Sequence, residues 1–390
     1  MSTAHARLAW KVQSAFGTQA TGTGFNKVRL GDGGESLQMD QNTVLDGEIH
    51  EDHRPKGVVT LARSGSGTVN GNLSHTSWDT WFELALRSAG FSSATTIGPI
   101  TTVSFESIAT SSTSYAKIKD SGNGLAGLSA NQWISVSGST LNNVIAKIHS
   151  VAAGEIEIKM LDLTDEVAGD SVTLKQLGQI VDGTDQRVMT VEKIFTQNSN
   201  RGELYNDVLV NTMGVNCTPG DKVKLSFGLM TGDVTVLNAA HASGYNTKNT
   251  NPIFTVGGST VGIYENETKI ASNQFTINVD GQNRAQEEAG EMGPGGYNRG
   301  DWNIGGTWRQ YFGTNDSWSK MRNSTETSFA TVQKDSAGNI VVFDVPSVYL
   351  VGNGRRVAGN ANSDVIQEFT WQAVEDSTEG ILMRIAVLAA

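Results

Sequence analysis

Along most of the chain apolar and polar residues alternate with a period of two, the pattern of strands that bury one face. Early strands are expected at Glu35–Met39 and at Gly57–Arg63, the second carrying Val58, Val59 and Leu61. Val69, Gly71 and Leu73 continue the alternation until it breaks at Ser74–Ser77. There the period becomes helical: Trp78, Trp81, Phe82, Ala85 and Ala89 fall on one packing face. Ser77 stands where a side chain caps a helix, and Gly90 where a left-handed residue ends one. An aromatic stripe this heavy has to be buried against a sheet.

The chain turns Ser- and Thr-rich from Ser92 to Ser114, and short strands then follow at Ser114–Lys119, Gln132–Gly138, Val144–Val151, Glu155–Leu161 and Ser171–Leu177. Such spacing suits a small β-barrel or sandwich. After Asp182 longer alternating segments resume, among them DVLVNTMGVNC, DKVKLSFGLMTG, QFTINVDG, NIGGTWRQYF and NIVVFDVPSVYLVG. Apart from a short helix around Trp318–Asn323, no second helix is expected. The apolar terminal segment Ile381–Leu388 calls for burial in the fold or in a subunit contact. Strands that follow strands with few crossover helices predict mostly antiparallel sheets. The expected organisation is one β domain in two parts, residues 1–97 and 184–390, interrupted by a small β domain at 98–183.

Between the first two strands lies DQNTVLDGEIHEDHRPK, residues Asp40–Lys56. It is too charged for a core strand and too long for a hairpin turn, and long connections without structure of their own are commonly functional. We read it as a contact arm, mobile in the monomer and ordered against a neighbouring subunit or ring. Its contact residues are Asp40, Asp46, Glu48, His50, Glu51, Asp52, His53, Arg54 and Lys56. The crowding of His50, Glu51, Asp52 and His53 resembles a ligand set, but with no other histidine at informative spacing a solvated or interface loop is the better reading.

Composition narrows the chemistry. The 390 residues include 44 glycines, eight tryptophans and 38% hydrophobic residues, so the chain is turn-rich but has to build a core. A net charge of −11 argues against a protein that coats duplex DNA, which needs an excess of lysine and arginine. Cys217 is the only cysteine, which excludes an intrachain disulfide and a cysteine zinc cluster. The first residues lack a signal-peptide layout and no apolar run reaches membrane-spanning length, so folding in a cytoplasm is expected.

No catalytic, cofactor or metal site emerges. GNGLAG (Gly122–Gly127) matches a dinucleotide-loop pattern, yet a strand follows it where that fold requires a helix. Asp162, Asp165, Glu166 and Asp170 lack the spacing of a calcium loop. There is no nucleophile elbow and no Walker A sequence. Gly65, Gly67 and Gly71 precede a polar segment rather than a helix start, which assigns them to close backbone approach or sheet curvature instead of phosphate binding.

The succession ESLQMDQN, an arm ending HEDHRPKG, and GTVNGNLSHTSWDTWFELALRSAGF resembles the tail tube protein family of tailed bacteriophages. VNTMGVNCTPGDKVKLSFGLMTG and the stretch from FTINVDGQNR to GDWNIGGTWRQYF are similar to its second half. The resemblance implies curved antiparallel β-sheets forming a sandwich or half-barrel with one flanking α-helix. It also implies homo-hexameric rings that stack into a hollow tube, through which genomic DNA leaves the capsid without specific binding. Tape measure, tail terminator and distal tail proteins are the implied partners, and the subunit itself inserts into no membrane. The virion tail is the implied location, with assembly in the bacterial host cytoplasm. The middle region resembles a small β-barrel or Ig-like module carried on the tube exterior, which favours a long non-contractile tail of the siphophage type. An acidic lumen wall that repels DNA is a further expectation from the net charge. The competing class is an exported or surface β-rich adhesin or carbohydrate-binding protein. Trp133 is its one candidate for stacking on a sugar, and the alternation of QWISVSG places that ring in a core instead.

Overall fold

The computed structural model describes residues 6–47, 51, 54, 56–357 and 364–390. Strands make up 52% of the structure and helix 5%, in two helices, and no sheet closes into a barrel. The protein is mainly β, a sandwich of sheets, as the period of two requires.

Three layers can be traced in its larger sheet system. A wide layer runs in spatial order through Gln38–Leu45, Val58–Asn72, Lys224–Thr231, the second half of Arg201–Cys217, Ser272–Asp280, Asn303–Tyr311, Ile366–Ala373 and the second half of Ile340–Val357. Every neighbouring pair in it is antiparallel. A back layer contains Gly178–Val181, Arg384–Leu388, the first half of Ile340–Val357, Thr327–Lys334 and Thr260–Glu265. A side layer holds Phe25–Lys27, Ala6–Val12, Met189–Phe195, the first half of Arg201–Cys217 and Val234–Leu237.

Two long strands therefore serve two layers each. Arg201–Cys217 leaves the side layer at a register shift beside Asp207, whose φ is 50°. Ile340–Val357 leaves the back layer at the shift between the pairs Phe329↔Val345 and Thr327↔Val348. Pro346 falls inside that shift, where a residue without an N–H interrupts no regular ladder bond.

The helix Asp79–Ala85 sits where the layers meet. Trp81 lies edge-on to Trp10 of the side layer at 6.1 Å and against Phe227 of the wide layer at 5.2 Å. Phe82 meets Phe343 of the back layer at 5.8 Å, and Trp78 stacks on Phe227 at 5.3 Å. Trp78, Trp81, Phe82 and Ala85 are all buried, but the helix is shorter than its sequence suggests. Trp78 is itself the N-cap residue, and the Ser77 hydroxyl accepts a bond from Ser74 rather than capping a backbone N–H. At the other end Arg87, with φ of 50°, takes the left-handed position expected of Gly90. The chain turns there because the Leu86 and Arg87 carbonyls accept from the N–H groups of Gly183 and Asp185. Ala89 thus lies beyond the helix and is exposed, while Leu84 and Leu86 complete the buried face.

The middle of the chain forms a separate seven-stranded sheet with Thr95–Ile100 and Val103–Glu106 at its two edges. Ile118, Ile134, Ile148, Ile156 and Leu174 give it a core of its own. Gly178–Val181, just past this sheet, already pairs with Arg384–Leu388 in the back layer.

Candidate assembly and channel surfaces

The charged stretch expected to be an unstructured arm is in part a hairpin. Asp40 to Leu45 belongs to the strand Gln38–Leu45, which pairs with the first half of Val58–Asn72 from Leu45↔Val58 to Gln38↔Ser66. Side-chain bonds across the ladder pin it, Gln41 Nε2 donating to Thr60 Oγ1 at 2.6 Å and Ser66 Oγ to Asp40 Oδ2 at 2.6 Å. Asp46 closes the ladder: its N–H donates to the Gly57 carbonyl and its carboxylate accepts from the Lys56 N–H. The polar residues of QNT belong to a strand with no core on either face, which is why they did not read as one. Of the proposed contact residues, Glu51, Arg54 and Lys56 are exposed beyond this closure. Glu48, His50, Asp52 and His53 lie outside the described residues.

The hairpin carries apolar side chains that none of the described residues covers. On Val58–Asn72 the residues Gly65, Val69 and Gly71 face the core. A register shift at Leu61 then breaks this parity, because Asn42 pairs with Ala62 and Thr43 with Thr60; Leu61 and Val59 are 50% and 48% exposed. Val44 stands opposite Val59 and Met39 opposite Gly65, and both are exposed as well. Met39, and beyond the shift the pair Leu45 and Val58, therefore stand on the core-facing side, while Val44 and Val59 stand on the other, so the hairpin exposes apolar side chains on both faces. At the base of the hairpin the Arg63 N–H donates to the Met292 carbonyl at 2.6 Å, so the loop around Met292 braces it.

The opposite face of the wide layer has a different chemistry. Register places Asn70, Ser226, Gly214, Asn278 and Gly305 in one row across five strands. In the adjoining row the hydroxyls of Thr276 and Thr307 meet at 2.9 Å. This face is dished, forming a trough of about 430 Å³ lined by Asn70, Ser226, Thr276, Asn278 and Thr307 together with the charged Asp32 and Lys224. The signal was in the sequence: in TVNGN, KLSFG and FTINVD each core residue alternates with serine, threonine, asparagine or glycine, with Lys224 and Asp280 at the strand ends. Three of its cations stand beside carboxylates, Lys224 beside Asp221 at 2.5 Å, Lys222 beside Asp32 at 3.1 Å and Arg309 beside Glu368 at 3.5 Å, and register places Arg355 opposite the same Glu368.

On the far side of the core, the middle sheet is docked on the back layer through a buried charge cluster. Lys147 Nζ lies 2.9 Å from Asp344 Oδ2 and 3.1 Å from Glu379 Oε1, and Arg384 Nη1 is 3.1 Å from the same Asp344 oxygen. Trp133 Nε1 donates to Asp344 Oδ2 at 3.0 Å. Burial drives the Asp344 carboxyl upward, but Lys147 and Arg384 outweigh it and hold its pKa below the ordinary value. Trp133 is buried between the sheets with Ile145, Leu177, Val342 and Leu388, so it presents no face to a sugar. Sequence reasoning missed this cluster because its members lie far apart in the chain.

The remaining chemical candidates resolve into structure. Gly122 and Gly124 of GNGLAG both donate their N–H groups to the Asp120 carboxylate, which occupies the place of an anion. Asp165 is taken by the N–H of Ser107 and the hydroxyl of Thr110, and Glu166 by Ser139 and Asn142. Among the described residues no group of histidine, cysteine and carboxylate side chains could hold a metal ion. Cys217 is buried, and burial pushes its thiol up to about 12. No helix among the described residues is long and apolar enough to cross a membrane.

A family model for phage tail tube proteins matches residues 3–373. The chain belongs to the phage tail tube protein family. It is a structural subunit of a virion tail, and the family is not one of enzymes. A comparison with curated proteins gives no match. The match takes in the hairpin, the helix, the middle sheet and nearly all of the wide layer, so these surfaces are parts of a tail tube protein.

Proposed function

We propose that this tail tube protein forms homo-hexameric rings that stack into a hollow tube conducting genomic DNA, with the dished polar face lining the channel. The observation that carries the proposal is the wide layer, an open antiparallel sheet whose outermost strands, Gln38–Leu45 and the second half of Ile340–Val357, each pair on one side only within it. Open edges invite pairing with another chain. The layer has an even number of strands, so its first and last run in opposite senses. A neighbour related by rotation about the tube axis brings its first strand antiparallel to the last strand of this copy. Closure of a ring then continues the alternation without a break, and a head-to-tail interface of this kind closes into rings.

Two further features support the arrangement. The hairpin projects exposed apolar side chains on both faces that a second copy can cover, which suits Asp40–Lys56 to the role of contact arm. The middle sheet, taken as a module at 98–183, is docked behind the core from the polar face and falls on the tube exterior. Tape measure, terminator and distal tail proteins are the expected partners, in a tail of the siphophage type assembled in the host cytoplasm. Negative-stain electron microscopy of the purified protein over a concentration series, with sedimentation in parallel, tests the reading. Hollow tubes with lateral projections are expected. A monomer that persists at all concentrations, with or without preformed tail tips, overturns it.

A further inference from the structure

We propose that the channel wall of this protein is electrically neutral, a surface of hydroxyl and amide groups that neither holds nor repels a polyanion. The proposal rests on the assignment of the dished face to the channel, and it departs from the acidic wall expected from the net charge. The row Asn70, Ser226, Gly214, Asn278 and Gly305 carries no charge at all. Lys224 inside the trough, and Lys222 and Arg309, each stand within 3.5 Å of a carboxylate, and register sets the exposed Arg355 opposite Glu368. A pair that close acts at longer range only as a dipole, and its residual field is screened within about 10 Å at 0.1 M salt. Asp40 and Asp280 lie at the ends of the face. The first accepts from Ser66 and Gln38, and the second from the Gln282 N–H while lying in the field of buried Arg87.

The carboxylates without a nearby cation also cluster elsewhere. Glu287, Glu288 and Glu291 are exposed on the loop that braces the hairpin. Asp162, Asp165 and Glu166 belong to loops of the middle sheet. The consequence for cargo follows from elementary electrostatics. A basic wall binds DNA by releasing counterions, with steep salt dependence. An acidic wall raises the local concentration of cations and excludes the phosphate backbone. A wall of serine, threonine and asparagine exchanges hydrogen bonds with water and phosphate at little net gain, so passage depends weakly on ionic strength. The ligand class that this surface suits is any hydrated polymer, nucleic acid or polypeptide, that has to slide.

Single-cysteine reporters test the wall directly. Ser226→Cys and Asn278→Cys place a thiol on different strands of the face, and Cys217 stays silent because it is buried with its thiol pushed up to about 12. In assembled tubes the reaction rates with a cationic and an anionic methanethiosulfonate are compared, each normalised to the same variant as monomer. Neutrality predicts a normalised ratio within about threefold of one. A preference of about tenfold or more for the cationic reagent establishes an acidic wall, and the reverse a basic one, and either overturns the proposal. A maleimide on a polymer too large for the channel separates the two ideas. If it labels tubes as fast as monomers, the face lies outside, and both the channel assignment and the proposal fall. If it is excluded while the small reagents discriminate by charge, only neutrality falls. Loss of assembly by one variant leaves the other to report.

Discussion

Two aspartates show how position sets opposite responses to pH. Asp79, in the first turn of the helix, is pushed up to about 6 by burial and then by the neighbouring Glu83. In the unfolded chain its pKa is the ordinary 3.8, so the folded protein holds a proton that the unfolded chain has lost. Its contribution is most favourable below about pH 4 and falls as pH rises toward 6 and beyond. Asp79→Asn is expected to raise the melting temperature at pH 8 and to leave it nearly unchanged at pH 4, which thermal unfolding at the two pH values checks. Asp344 responds in the other sense, because its lowered pKa makes its contribution present at neutral pH and lost in acid. Lys147→Met leaves that buried cluster one positive charge short. The loss is about 3–5 kcal/mol, read from denaturant midpoints, and Lys147→Met with Asp344→Asn recovers part of it. Gly71 makes a third case at this scale, since a Cβ there would overlap the Trp78 indole, whose Nε1 donates to the Asn72 carbonyl at 3.0 Å. Gly71→Ala is expected to cost about 1–3 kcal/mol in the same measurement.

Among the elements, the proposed role of the hairpin predicts that folding and assembly can be separated there. Val59 and Leu61 touch no core, so Val59→Asp with Leu61→Asp should change monomer stability by no more than about 0.5 kcal/mol per site. Sedimentation of the same protein should show the loss of rings and tubes. If the double variant assembles normally, this part of the hairpin is not a contact. The legibility of the elements follows from how local their causes are. Strands such as Lys224–Thr231 and Ser272–Asp280 were plain because one face is buried and the other wet, which writes the period of two into the chain. The helix was visible through its aromatics, but its end was not, because the stop comes from bonds to Gly183 and Asp185 nearly a hundred residues away. Gln38–Leu45 was hidden for the opposite reason: it is held by backbone pairing and hydroxyl bonds, with no core to impose a pattern. The cluster of Lys147, Asp344, Glu379 and Arg384 exists only after the chain has folded.

For the molecule as a whole, the two strands shared between layers bear on what a tube has to withstand. A tail bends, is pulled at its tip and recoils, and a wall made of a separate lining would slide over its backing under that load. In this protein Arg201–Cys217 and Ile340–Val357 pass from one layer into the next without interruption. If the wide layer is the lining proposed above, tension applied there is handed through covalent backbone to the layers behind it. Bending stiffness then belongs to the full depth of the wall. A flexible tail built from such subunits would have to yield at the joints between rings, leaving the bore of each ring round.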